Sequence, residues 1–150
     1  MAAEPKIEKI IHELLDRIKA VYPRVPIQRG FFADENTTWP SIYILEDVEN
    51  SVIDRRERRG LYNRTATVSI AFFFKSDTDL QKAMYMANVE KFKLCSAIET
   101  DDSFNGLVNN YGEVGCDKAF YKANGIQVSV DYSFEYSEES PWATATARRM

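Results

Sequence analysis

Two segments of this sequence alternate between apolar and polar residues, and this pattern is what most restricts the fold. In the segment from Leu61 to Lys75, every second residue from Ala66 to Phe74 is apolar. In the segment from Ile126 to Tyr136, apolar residues alternate with Gln, Ser, Asp and Glu. Because side chains of a β-strand point to opposite faces in turn, both segments are predicted to be long strands. The second is predicted to be half-buried, with one face in contact with solvent.

Two further segments have the spacing of amphipathic helices. From Glu4 to Tyr22, apolar residues recur every three or four positions with charged residues between them, and Pro23 cannot continue the helix. A second helix is predicted to start with a cap at Ser76 or Asp77 and to end before Asp101. The apolar residues of this second helix are Leu80, Ala83, Met84, Ala87, Leu94 and Ile98.

Shorter elements are predicted around these segments. The run from Ser41 to Leu45 is rich in β-forming residues and is placed as a strand, and residues Phe104 to Asn109 are placed as a short helical turn. Asn124-Gly125 is typical of a type I′ turn, because both central residues of that turn need positive φ. A two-residue loop there would place Tyr121 opposite Val128, Ala119 opposite Val130 and Lys118 opposite Asp131.

These elements predict an α+β fold, a mostly antiparallel sheet of about four strands with two main helices packed on one face. The chain has 150 residues, of which 45% are hydrophobic, and this is enough for one sizeable core. We expect a single domain over residues 1–136. Residues 137–150 have too few apolar side chains to hold one conformation alone and are predicted to form an extended C-terminal tail.

Charge and cysteine content bear on the class of protein. The net charge of -4 argues against a dedicated nucleic-acid binder, because such domains usually carry a basic field. Cys95 and Cys116 are too few for a disulfide framework, so we expect reduced thiols and synthesis in the cytoplasm. No run of apolar residues approaches the ~18 to 20 that a membrane span needs, and a soluble chain is expected.

Residues with catalytic potential are few and isolated. His12 is the one histidine, and on the polar side of a helix a histidine is more often a surface residue than a metal ligand or part of a triad. Gly112 and Gly115 superficially suggest a phosphate loop, yet no GxGxxG or Walker pattern and no predicted helix follow them. We therefore expect no enzyme activity and no catalytic, cofactor or metal site.

A charged segment follows the first strand. The acidic segment comes first and consists of Glu46, Asp47 and Glu49. The arginine cluster comes next and consists of Arg55, Arg56, Arg58 and Arg59. Because apolar anchors are lacking, residues 47–60 are predicted to form an exposed hairpin arm. The arginine cluster is most simply a solvated tip; it could instead contact the acidic segment of a neighbouring subunit or, as a third interpretation, phosphate.

Trp142, which follows Pro141, is the one aromatic residue of the predicted tail. An exposed aromatic side chain in a polar tail is often merely tolerated, but Trp is also strongly enriched as an anchor at protein interfaces. The tail has few other apolar groups, and this favours the anchor. We expect the arginine cluster, the acidic segment and Trp142 to make contacts with subunits or partners.

The order of helix, strand, charged arm, long strand, helix and aromatic hairpin resembles the tail terminator, or tail completion, family of long-tailed bacteriophages. The resemblance covers nearly the whole chain up to Tyr136. The residues that carry it are the helix Ile7–Val21, the strand Pro40–Ile44, the arm Arg55–Arg59, the strand Ala66–Phe74 leading into Ser76-Asp77, and the strand Gly125–Phe134.

The resemblance implies a structural protein of the virion, located in the tail or neck and assembled in the host cytoplasm. Six copies would close into a ring on the last layer of tail tube protein, stop tube growth, and present a second surface to the head-side connector or neck protein. Sheath protein is a further candidate partner, and genomic DNA would pass through the lumen without sequence-specific binding. The alternatives are another neck or head-completion subunit and a small ferredoxin-like ligand-binding regulatory module.

Overall fold

Two helices and five strands make up the described part of the chain in the computed structural model, which is residues 4–30, 40–54, 61–76, 79–121 and 124–139. The predicted α+β class is confirmed. Neither helix of these described ranges is long and apolar enough to cross a membrane. In chain order the elements are α1 (Lys6–Val21), β1 (Ile27–Arg29), β2 (Ser41–Asp54), β3 (Leu61–Lys75), α2 (Leu80–Ile98), β4 (Asn110–Tyr121) and β5 (Gly125–Glu139).

The described strands form one mixed sheet in the order β1-β2-β3-β5-β4. Neighbouring strands are antiparallel except for β1 and β2, which run parallel. The prediction of about four strands omitted β1, because a strand of three residues is too short to show alternation. Pairing of Ile27 with Ile42 and of Arg29 with Ile44 places β1 at one edge of the sheet.

One face of the sheet, here called the inner face, packs against both helices. Phe72 of β3 and Phe134 of β5 meet Ile11 of α1 and Leu94 of α2 in one apolar core. Phe134, Ile11 and Leu94 are fully buried. Removing each such side chain from water contributes roughly 1.5–3 kcal/mol to folding. The alternation predicted for β3 and β5 is confirmed by the burial of this face.

The opposite, outer face of the sheet presents mainly small polar side chains. Thr67 and Ser69 of β3 and Ser133 of β5 lie there and are only partly buried. The outer face is therefore wet along most of β3 and β5. Near one end it carries a small apolar cluster of Tyr43, Ala71 and Phe73.

β2 is much longer than the predicted strand Ser41–Leu45, and this corrects the extent of the arm. It continues to Asp54, with a β-bulge after Glu46. Its second half lacks alternation, yet it stays paired with β3 until Asp54 lies opposite Leu61, because the main-chain hydrogen bonds of a ladder need no apolar side chains. Residues 47–54 of the predicted arm are therefore part of the sheet.

β5 also extends further than predicted. It pairs with β3 from Gly125, opposite Lys75, to Glu139, opposite Leu61. The strand thus continues three residues beyond Tyr136, where the domain was predicted to end. Residues 137–139 belong to the sheet, and residues 140–150 lie outside the described part of the chain.

The register of β4 with β5 differs from the predicted one. Tyr121 pairs with Gly125, so the connecting loop has three residues and Gly125 is already part of the strand. Asn124 has the positive φ expected of a turn residue, 64°. Because the loop has three residues and ends before Gly125, all three predicted pairings are wrong. Tyr121 lies opposite Gly125, Ala119 opposite Gln127 and Lys118 opposite Val128.

The segment after α2 is a loop, and the short helical turn predicted for Phe104–Asn109 is not formed. Phe104, Asn105 and Gly106 have φ of 50°, 58° and 75°, a left-handed run that an α-helix does not contain. The carboxylate of Asp101 holds this loop by accepting hydrogen bonds from the main-chain N–H of Phe104 at 3.1 Å and of Asn105 at 2.8 Å. Phe104 is thereby placed in the core, where it is fully buried.

The N-terminal cap of α2 is Asp79, whereas the sequence predicted Ser76 or Asp77. The Asp79 side chain accepts a hydrogen bond from the main-chain N–H of Lys82 at 2.9 Å. We expect Asp79→Ala to lower the free energy of unfolding by about 1 kcal/mol, because one N–H of the first turn loses its partner. Urea unfolding followed by circular dichroism measures this loss. Asp79→Asn is the matched control, and an equal loss in both variants would contradict the capping role.

Candidate assembly surfaces

The side of α2 that points away from the sheet carries an outer stripe of exposed apolar residues, Tyr85, Val89 and Phe92. Their exposed fractions are 69%, 44% and 77%. Residues four and seven positions apart lie on the same side of a helix. The other side of α2 faces the core through Ala87 and Leu94, which are fully buried. α2 thus has two apolar sides, and the described part of the chain covers only one of them.

A second exposed apolar patch lies at the start of α2. Leu80 and Met84 are 62% and 51% exposed, although they belong to the apolar series that predicted this helix. Phe120 and Tyr121, at the end of β4, border the same depression as Leu80 and are 39% and 49% exposed. Apart from two residues in α1 and β2, every large apolar side chain that is exposed in the described ranges belongs to α2 or β4. Such a concentration is typical of an interaction surface.

A groove of about 530 Å³, here called the α2–β4 groove, separates α2 from β4. Lys91 Nζ and Glu113 Oε1 form an ion pair at 2.8 Å in this groove, and the hydrogen bond raises the pKa of Lys91. Tyr132 of β5 donates its hydroxyl hydrogen to Glu99 Oε2 at 2.8 Å. These contacts fix two carboxylates along the groove. The remaining lining residues are Asn88, Phe92, Cys95 and Ser96.

Cys95 lines this groove as a partly buried free thiol. Burial raises its pKa, so the nucleophilic thiolate form is disfavoured. Burial also raises the pKa of Cys116, the second free thiol. Both side chains pack against the edge of the core.

β4 forms one edge of the sheet. Among the described strands its only neighbour is β5, so the main-chain groups on its other side face no described strand. A bulge at Val114, which is 64% exposed, interrupts the ladder. Asp117 and Lys118 are exposed as well. Bulges and charges of this kind are common at edge strands, because they restrict which partner can pair there.

The acidic segment is engaged with other residues of its own chain. Glu46 accepts from Arg29 at 2.8 Å, Asp47 from Ser69 at 2.7 Å, and Glu49 from the hydroxyl of Tyr136. An arginine from a neighbouring subunit would therefore compete with these partners. The predicted contact between the acidic segment and a neighbour stays a prediction.

Glu4, which precedes α1, forms a cluster with Glu8 and His12 of α1, with one potential ligand atom from each residue within 4.8 Å of the others. Such a trio could in principle hold a metal ion. However, both carboxylate oxygens of Glu8 accept from the guanidinium of Arg29, at 2.7 and 2.8 Å. Arg29 also lowers the pKa of Glu8. Glu8 is therefore already paired with a cation, the guanidinium of Arg29.

The other residues predicted to contact subunits or partners lie outside the described ranges. They are Arg55, Arg56, Arg58, Arg59 and Trp142. Their roles stay predictions.

The outer stripe of α2 was not predicted from the sequence. The sequence does contain a pattern that indicates this stripe, because Tyr85, Val89 and Phe92 repeat at helical spacing within the predicted helix. Leu80 and Leu94 follow a second series at similar spacing, and sequence alone does not distinguish the covered side of the helix from the exposed one. Burial in the structure makes this distinction.

No protein-family model matches the sequence, and no curated protein is detectably similar to it.

Proposed function

We propose that this protein is a structural assembly subunit, a tail terminator of a long-tailed bacteriophage. Copies form a ring, of six subunits by the family resemblance, that caps the tail tube and joins it to the head-side connector. The observation that carries the proposal is the concentration of exposed apolar side chains on α2 and β4. Exposed apolar surface of this extent is usually covered by a protein partner. The occupant that we propose is a neighbouring copy of this chain.

The arrangement of the sheet supports a ring of head-to-tail contacts. A closed ring of identical subunits places one surface of each copy against a different surface of the next. The sheet offers two different edges, β4 on one side and β1 with β2 on the other. β4 and β2 run in opposite directions, so β4 of one copy beside β2 of the next would continue the antiparallel pattern.

The fold is compatible with one of the two alternative functions and does not match the other. Another neck or head-completion subunit would use the same kind of surface and would differ in its docking partner. A ferredoxin-like regulatory module has the order β-α-β-β-α-β. Here α1 precedes all the described strands, so it is not a connection between two of them. The order of elements therefore does not match that module.

The ring is tested on the purified protein by mass photometry and negative-stain electron microscopy. We expect closed particles near six times the subunit mass of 17.3 kDa, either alone or after mixing with tail tube protein. Addition of tube protein should give short tubes closed at one end by the ring. A protein that stays monomeric at every concentration, with tube protein present, would contradict the proposal.

A further inference from the structure

Residues 140–150, here called the C-terminal segment, follow directly after Glu139, the last residue of β5. Glu139 lies opposite Leu61, at one end of the sheet. The α2–β4 groove lies further back along β5, because Glu99 binds the hydroxyl of Tyr132 and Glu113 pairs with Tyr132 in the sheet. The segment therefore begins well away from the groove of its own chain.

Trp142 cannot reach the groove of its own chain. Seven residues of extended strand separate Tyr132 from Glu139, which is about 23 Å. The three residues from Glu139 to Trp142 span at most about 11 Å. Phe92 is further away still, since α2 starts near Gly125 and runs toward Tyr132, which places Phe92 about 10 Å before Glu99. A groove of this kind that takes up Trp142 must therefore belong to another copy.

The chemistry of the groove suits this segment. Phe92 and Cys95 offer an apolar wall for an indole ring. The indole N–H is a hydrogen-bond donor only, and the carboxylates of Glu99 and Glu113 are acceptors. The segment carries two arginines and no acidic residue, whereas the charged residues of the groove are one lysine and two glutamates. The charges are therefore complementary.

We propose that residues 140–150 of one copy dock in the α2–β4 groove of the neighbouring copy, with Trp142 against Phe92 and Cys95. This inference rests on the proposed ring and goes further, because it names the segment and the surface that join one subunit to the next. Each copy gives its segment to one neighbour and receives a segment from the other. The contact is thus head-to-tail, as a closed ring requires.

The native thiol of Cys95 provides a direct test. Ala143→Cys places a second thiol beside Trp142, and Cys116→Ser removes the other native cysteine. After treatment of the full chain with a short bis-maleimide, denaturing gels should show a ladder of covalent oligomers. The same chain with Cys95→Ser should show none. Cross-linking within single chains only would overturn the proposal. So would the absence of cross-linking in an oligomeric sample whose Cys95 is labelled by a simple maleimide once the sample is diluted to monomers.

A second measurement separates this inference from the ring itself. Trp142→Ala should weaken self-association about 30-fold, as expected for an interface tryptophan, whereas Trp142→Phe should retain most of it. Mass photometry over a dilution series measures both variants against the unmodified protein. If Trp142→Ala forms rings as readily as the unmodified protein, the docking proposal is wrong and the ring stands. If the unmodified protein forms no oligomer with tube protein present, both proposals are wrong.

Discussion

Replacing both Tyr85 and Phe92 by Glu should weaken association between copies at least about 100-fold while leaving the fold intact. Both side chains are largely exposed in the subunit, at 69% and 77%, so the introduced glutamates are solvated in the monomer. In an assembled ring the same charges would be removed from water without a partner, and an unpaired buried charge is strongly unfavourable. Dilution experiments by mass photometry measure the association, and thermal unfolding measures the fold.

A matched control for this pair is Lys9→Gln with Lys19→Gln. Both residues are exposed on α1, away from the outer stripe, and the pair changes the net charge by the same amount as the two Glu substitutions. We expect the control to associate like the unmodified protein. If the stripe variant and the control associate equally well, the outer stripe is not a subunit contact and the main support for the proposed function is lost.

Arg17→Met should lower the free energy of unfolding by about 3 kcal/mol, because several groups lose a charged partner at once. The Arg17 side chain is only 10% exposed. Nη1 donates to the carbonyl oxygen of Ile98 at 2.7 Å, and Nη2 donates to Asp101 Oδ1 at 3.0 Å. The guanidinium also lies 4.2 Å from the ring centroid of Phe104. Arg17 thus ties α1 to the end of α2 and to the loop that follows.

Urea unfolding of Arg17→Met measures this loss, and Arg24→Met is the matched control. Arg24 is exposed, and we expect its replacement to change the stability by less than about 0.5 kcal/mol. If Arg17→Met lowers the free energy of unfolding no more than the control does, the arginine does not hold the two helices together. Arg17→Lys should recover only part of the loss, because an ammonium group cannot donate in the same forked geometry.

The same loop gives the stability a dependence on acid. Hydrogen bonds from the main chain of Asn105, and then the guanidinium of Arg17, lower the pKa of Asp101 below its ordinary value of 3.8. A carboxyl group with a lowered pKa in the folded state stabilises the fold above its ordinary pKa, and this contribution is lost as the pH falls through the lowered value. The difference in the free energy of unfolding between the unmodified protein and Asp101→Asn should therefore shrink as the pH falls below 3.8.

The parts of the fold that the sequence predicts well are those with a side-chain pattern. β3 and β5 alternate because one face is covered by helices, and α1 has a single apolar stripe because it has a single covered side. The second half of β2 has no such pattern, since main-chain pairing alone holds it to β3. β1 is too short for any pattern, and its place depends on Ile42 and Ile44 of a distant segment.

The candidate surfaces were harder to predict than the fold. α2 is apolar on two sides, and sequence alone does not say that Leu94 is covered while Leu80 is exposed. The hairpin register was missed for a related reason, because Asn124-Gly125 fits a two-residue turn while the pairing of Tyr121 with Gly125 requires three loop residues. In both cases contacts between distant parts of the chain decide the outcome.

The long pairing of β2, β3 and β5 has a mechanical consequence. The three strands remain hydrogen-bonded up to Asp54, Leu61 and Glu139, which lie side by side at one end of the sheet. A force applied there along the strands acts sideways on many hydrogen bonds at the same time, because these bonds lie perpendicular to the strands. A partner attached at this end would therefore displace the strands together and move the core beneath α1 and α2 with them.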